Sequence, residues 1–184
     1  MSTRGLQPPA LPGAPARDTS LDLPNNPMTP PILQSTFNRT GTVLLVEDDP
    51  NDAFFLQRAC QASDIPHSLT VVNDGQAAVD YLSGTNGYAD RKRHPLPDLV
   101  FLELKLPRRD GHEVLEWLRA QPALRSLPVV ILTTSTDDPE IKRAYELGVT
   151  SCLMKDANLV QFFEATWIAL KYWLELNVRP KQVQ

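Results

Sequence analysis

The chain has 184 residues, 42% of them apolar, and a formal net charge of -4 at pH 7. That allows one fully cored domain plus additional sequence, while the acidic balance offers no electrostatic footprint for nucleic acid. No apolar run is long enough to span a membrane, and the N-terminus lacks the apolar stretch of a signal peptide, so a cytoplasmic protein is expected.

Residues 1–40 hold 8 of the 17 prolines and show neither helical nor strand periodicity. Such a segment buries too little apolar surface to offset its ordering entropy, and a disordered tail is expected. Met28 is a second candidate start. From Thr42 the pattern changes. Val43-Leu44-Leu45-Val46 reads as a central parallel strand covered on both faces. It ends in Glu47-Asp48-Asp49-Pro50-Asn51-Asp52, which suits a loop and a helix first turn, where negative charge is favoured. The helix that follows turns Ala53, Leu56, Ala59 and Cys60 inward and stops by Pro66. Cys60 and Cys152 lie far apart in apolar runs, as expected of buried reduced thiols rather than a disulfide framework.

Leu69–Val72 is the second strand, and Asn73-Asp74-Gly75 turns the chain into a helix carrying Ala77, Ala78, Tyr81 and Leu82. Residues 83–97 form a polar loop whose basic cluster, Arg91-Lys92-Arg93-His94, reads as solvated rather than as a contact patch. Asp98–Leu102 is the third strand. It stops at Glu103, and a Pro107–Gly111 loop leads into a helix with Val114, Leu115 and Leu118. Val129–Leu132 is the fourth strand, followed by Thr133. Asp138-Pro139-Glu140 opens a helix with Ile141, Ala144, Tyr145 and Leu147 inward and Gly148 as its C′ residue. Ser151–Met154 is the fifth strand, ending at Lys155, and the last helix spans Leu159–Leu176.

Five strand–helix alternations predict an α/β fold, a flavodoxin-like (βα)5 doubly wound parallel sheet of strand order 2-1-3-4-5. Its ligand site lies outside the carboxyl ends of the strands, beside strands 1 and 3. That places Glu47, Asp48, Glu103, Thr133 and Lys155 in one pocket. Carboxylates so close together need a cation, and oxygen donors suit Mg²⁺. A hydroxyl and an ammonium opposite can hold phosphoryl oxygens, which is the equipment of phosphoryl transfer.

Val46-Glu47-Asp48-Asp49-Pro50, Leu104-Lys105-Leu106-Pro107 with Asp110-Gly111, Leu132-Thr133-Thr134-Ser135 and Met154-Lys155 resemble, in order and spacing, the receiver domain of bacterial two-component response regulators. The resemblance covers residues 42–177. More narrowly, Arg143-Ala144-Tyr145-Glu146-Leu147-Gly148 and the run Lys171–Asn177 resemble the stand-alone receivers that partner bacterial phytochromes. The implied organisation is a tail over 1–40, a receiver domain over 41–178 and a short C-terminal tail over 179–184. The implied function is phosphorelay signalling with no output domain, no enzymatic activity and no nucleic-acid or membrane partner. The implied partners are a sensor histidine kinase, a bacterial phytochrome in the narrower resemblance, and a second copy bound through the last helix region.

The resemblance also assigns roles. Glu47 and Asp48 match the acidic pair that holds Mg²⁺, with Asp48 the direct ligand, and Lys105 matches the residue lending its backbone carbonyl. Thr133 and Lys155 match the phosphate-sensing hydroxyl and ammonium. Cys152 matches the switch position, usually aromatic, although a small core residue is the plainer reading. Glu103 matches the phosphoacceptor, itself a metal ligand. Two departures stand out. Asp156 replaces the proline often found after the lysine, so no cis bond is expected there. Glu103 replaces aspartate.

The extra methylene carries the carboxylate about 1 Å farther, and a misplacement on that scale costs about 10²-fold in a positioned reaction. Little or no phosphorylation and weakened Mg²⁺ binding are expected. Glu103 should instead contact Lys155 or Thr133 directly and partly imitate a phosphorylated aspartate, giving a pseudo-receiver that acts through protein contacts. The alternatives are a receiver still phosphorylated by a histidine kinase and a structural relic in which Glu103 pairs with Lys155 and Lys105. A remote alternative, a Mg²⁺-dependent phosphohydrolase, would need aspartate where Glu47 stands. Phe162, Phe163, Trp167 and Trp173 are expected mostly in the core. An apolar remainder among Trp167, Leu170, Tyr172 and Leu174 would mark a partner or dimer surface.

Overall fold

The computed structural model describes residues 40–134, 139–155 and 158–178. The readings made for the two tails, Met28, Ser135, Asp138 and Asp156 lie outside the described residues. Strands β1 (Gly41–Val46), β2 (His67–Val72), β3 (Leu99–Glu103), β4 (Val129–Thr133) and β5 (Ser151–Met154) form one parallel sheet in the order β2-β1-β3-β4-β5. Helices α1 (Pro50–Ala62), α2 (Gly75–Ser83), α3 (Gly111–Ala120), α4 (Pro139–Glu146) and α5 (Leu159–Leu170) alternate with them. This is the expected topology.

The three central strands are apolar almost without interruption because helices cover both of their faces. Alternate side chains point to opposite faces. Leu44, Val46, Val100, Leu102 and Ile131 join Leu115 and Leu118 in one core, while Val43, Leu45, Phe101, Val130 and Leu132 join Leu56, Phe162 and Leu170 in the other. Local signals agree with this plan. Asp49 caps α1, accepting from the backbone N–H groups of Asn51 and Asp52, and those bonds hold its carboxyl below the usual carboxylate range. Asp110 and Glu113 form a capping box at α3. Gly148 takes a φ of +82°, and the N–H groups of Gly148 and Val149 reach back to the carbonyls of Tyr145 and Ala144.

Several details differ from the sequence reading. β2 begins two residues early because its pairing with β1 extends back to Gly41 opposite His67. On α4 only Ala144 is fully buried, and Tyr145 faces solvent at 55% exposure. Arg91 is not merely solvated, since its guanidinium donates to the carbonyls of Tyr81, Leu82 and His94 and fastens the 84–97 loop to the end of α2. The last helix is α-helical only to Leu170, and Lys171–Leu176 continue in wider π turns. Leu170 is fully buried and Leu174 half-buried, while Trp167, Ile168, Tyr172 and Leu176 are exposed. Cys60 is buried and Cys152 half-buried, and both are free thiols.

Candidate functional site

The parallel register brings the strand ends level. Val46 lies opposite Val72 and Leu102, Glu103 opposite Leu132, and Thr133 opposite Met154. The residues just beyond, Glu47 and Lys155, therefore stand beside Glu103 and Thr133 at one edge of the sheet.

Glu103 is buried. Its Oε1 accepts the backbone N–H groups of Leu104 at 2.7 Å and Lys105 at 3.0 Å, and its Oε2 pairs with the Lys155 ammonium. The loop supplying those N–H groups is itself held. The Gly111 N–H donates to the Leu104 carbonyl at 2.8 Å, and Arg108, at a φ of +66°, pairs with Asp74, the N-cap of α2.

Lys155 collects further carboxylates. Its Nζ lies 2.8 Å from Glu47 Oε2 and hydrogen-bonds Asp52 Oδ2 at 2.9 Å. The Glu47 contact is an ion pair by distance but is out of line for a hydrogen bond, so the buried Oε2 lacks an aligned donor. Three carboxylates around one ammonium leave a formal charge of -2. Burial works against the charge on Lys155, but the neighbouring carboxylates of Glu103, Glu47 and Asp52 outweigh it, and the ammonium titrates above its ordinary range. At Glu47 burial is the larger influence and raises the carboxyl, against the pull of Lys155. The two partners thus shift in the same direction for different reasons.

Of the residues singled out from sequence, Glu47, Glu103 and Lys155 come together. Thr133 is buried beside them, its carbonyl accepting the Lys155 N–H at 2.7 Å. Asp48 is exposed at the head of the α1 loop. The Lys105 ammonium turns away to Glu140, 3.6 Å distant. Cys152 lies within β5 beside Tyr145 of α4, and burial raises its thiol while the Tyr145 hydrogen bond draws it down. Asp52 was not anticipated as part of the cluster. It stands three residues before Phe55 and four before Leu56, and that spacing puts it on the same side of α1.

Among the described residues no three acidic, His or Cys side chains are grouped to hold a metal ion. The point on which Glu47, Asp52 and Glu103 converge is taken by the Lys155 ammonium. In this arrangement a divalent cation would have to displace the ammonium from those carboxylates. A cavity of about 50 Å³ beside the cluster is walled by Phe55, Leu132, Leu159 and Phe162.

Residues 43–166 match the family model of the response regulator receiver domain. Response regulator Rcp1 of Synechocystis sp. is 36% identical over 143 residues, which are 78% of this chain and 95% of Rcp1. The crystal structure of the phosphorylated cyanobacterial phytochrome response regulator RcpA aligns with a TM-score of 0.71 at 36% identity, covering 78% of this chain and 100% of that one. The Mn²⁺-bound form of Rcp1 aligns with a TM-score of 0.68 at 36% identity, covering 76% and 99%. Sheet order and relatives together define a flavodoxin-like receiver. The chain belongs to the response regulator receiver family of two-component signalling and is similar to Rcp1 and RcpA.

Proposed function

We propose that this receiver is a pseudo-receiver, acting through protein contacts rather than by holding a phosphoryl group. One observation carries the reading: both oxygens of Glu103 are already engaged, one by the Leu104 and Lys105 N–H groups and the other by Lys155. Lys155, matched by resemblance to the ammonium that meets a phosphoryl oxygen, is held by carboxylates instead. The longer side chain supplies one negative charge where a phosphoryl group brings about two, so the imitation is partial. Divalent cations bind weakly, because the ammonium competes for the same carboxylates. The Mn²⁺-bound state of Rcp1 belongs to a relative.

The proposed upstream partner is a sensor histidine kinase of the phytochrome type, supported by the likeness to RcpA and by the Arg143–Gly148 and Lys171–Asn177 motifs. The proposed location is the cytoplasm. Among the described residues no helix is long and apolar enough to cross a membrane. The proposed self-association runs through the last helix region, where exposed Ile168, Tyr172 and Leu176 recur every four residues beside Trp167. Exposed apolar residues gathered along one helix offer surface for a protein contact.

Light scattering on the purified chain is expected to show a dimer before any phosphoryl donor is added, unchanged by acetyl phosphate. Ile168→Glu combined with Tyr172→Glu should shift it to monomer with little change in melting temperature. A monomer that dimerises only on acetyl phosphate would contradict the proposal.

A further inference from the structure

We infer that Asp52 is a positioning residue for Lys155 and that it limits how readily this site accepts a phosphoryl group. The inference rests on reading position 103 as the phosphoacceptor position. An ammonium has three hydrogens to donate. Glu103 pairs with Nζ, Asp52 takes an aligned hydrogen bond at 2.9 Å, and Glu47 sits 2.8 Å away but out of line. Asp52, more than Glu47, therefore fixes where the ammonium points.

The backbone of Asp52 is held in place. It lies in the first turn of α1, and its N–H donates to the capping carboxylate of Asp49 at 3.3 Å. Phe55, Leu132, Leu159 and Phe162 wall the cavity beside the ion pair and keep part of its surface from water. A phosphoryl oxygen approaching Lys155 must meet the Asp52 charge at an ammonium already turned toward that carboxylate. Shortening Glu103 therefore removes one obstacle and leaves a second.

Glu103→Asp and Glu103→Asp with Asp52→Asn are compared with acetyl phosphate and MgCl₂ by intact mass over time. In the transfer the phosphorus–oxygen bond to the acetyl group breaks and acetate leaves with the electron pair. A new phosphorus–oxygen bond forms to the carboxylate oxygen at position 103. Removing one unit charge at contact range should raise the initial rate on the order of tenfold. The single variant should also speed up with added salt, which screens Asp52 from the anionic donor, and the double variant should do so less. A purely structural role for Asp52 would not move that salt dependence. Asp52→Glu in the Glu103→Asp background should return the rate toward the single variant, and Asp52→Ser is the second neutral substitution should Asn impair folding. Equal rates and equal salt dependence in the single and double variants overturn the inference. If neither takes a phosphoryl group, position 103 is not an acceptor and the inference falls with that reading. Uptake by the double variant alone supports it.

Discussion

Lys155→Met is expected to lower stability by about 3–5 kcal/mol at pH 8, because it strands carboxylates that cannot reach water. The Glu47 side chain is 1% exposed and that of Glu103 12%, whereas Asp52 can turn outward. The pH dependence has a definite sign. Lys155 is raised in the folded state, so its contribution is complete below its unfolded value and is lost only at strongly alkaline pH. Glu47 is also raised, so the folded chain binds that proton more tightly than the unfolded chain does. Stability linked to Glu47 grows as pH falls through its raised value toward the ordinary 4.5. Without Lys155 that rise is larger, so the variant's deficit should shrink between pH 8 and pH 5. Urea unfolding at the two pH values measures both quantities. A deficit under about 1 kcal/mol at pH 8 would place the cluster with ordinary surface ion pairs.

Gly111→Ala is expected to cost about 1–3 kcal/mol and to loosen Glu103 at the same time. A Cβ at position 111 would run into the Glu103 carbonyl oxygen and lie 2.7 Å from the Leu104 Cα. Both obstacles are backbone and cannot swing aside. The neighbouring Leu104 and Lys105 N–H groups hold Glu103 Oε1, so moving this backbone moves the carboxylate. The melting temperature should fall by roughly 3–10 °C. An unchanged melting temperature would show that the β3–α3 loop gives way without consequence.

The sheet was legible because β1, β3 and β4 are covered on both faces, so their apolar runs needed no alternation to be recognised. Turn and cap residues marked several boundaries: Pro50 at the start of α1, Gly111 at the start of α3 and Gly148 after α4. What escaped was set by neighbours rather than by local pattern. The early start of β2 follows from its pairing partner, and the exposure of Tyr145 from how little of α4 the sheet covers. The change to π turns after Leu170 leaves no mark in composition, since apolar residues continue through it.

At the site, strand-end logic brought Glu47, Glu103, Thr133 and Lys155 to one edge. It did not show that Lys105 would turn away to Glu140, because a side chain after a strand end can leave in either direction. It also passed over Asp52, which was read as favourable charge at a helix start. Its spacing from Leu56, one turn further along the helix, was the available signal.

The central claim is that Glu103 occupies the place of a phosphoryl group and does not accept one. Intact mass spectrometry of the unmodified chain after incubation with acetyl phosphate and Mg²⁺ tests it most directly. The expected spectrum shows no phosphoryl adduct. A phosphoryl group located on Glu103 would contradict it.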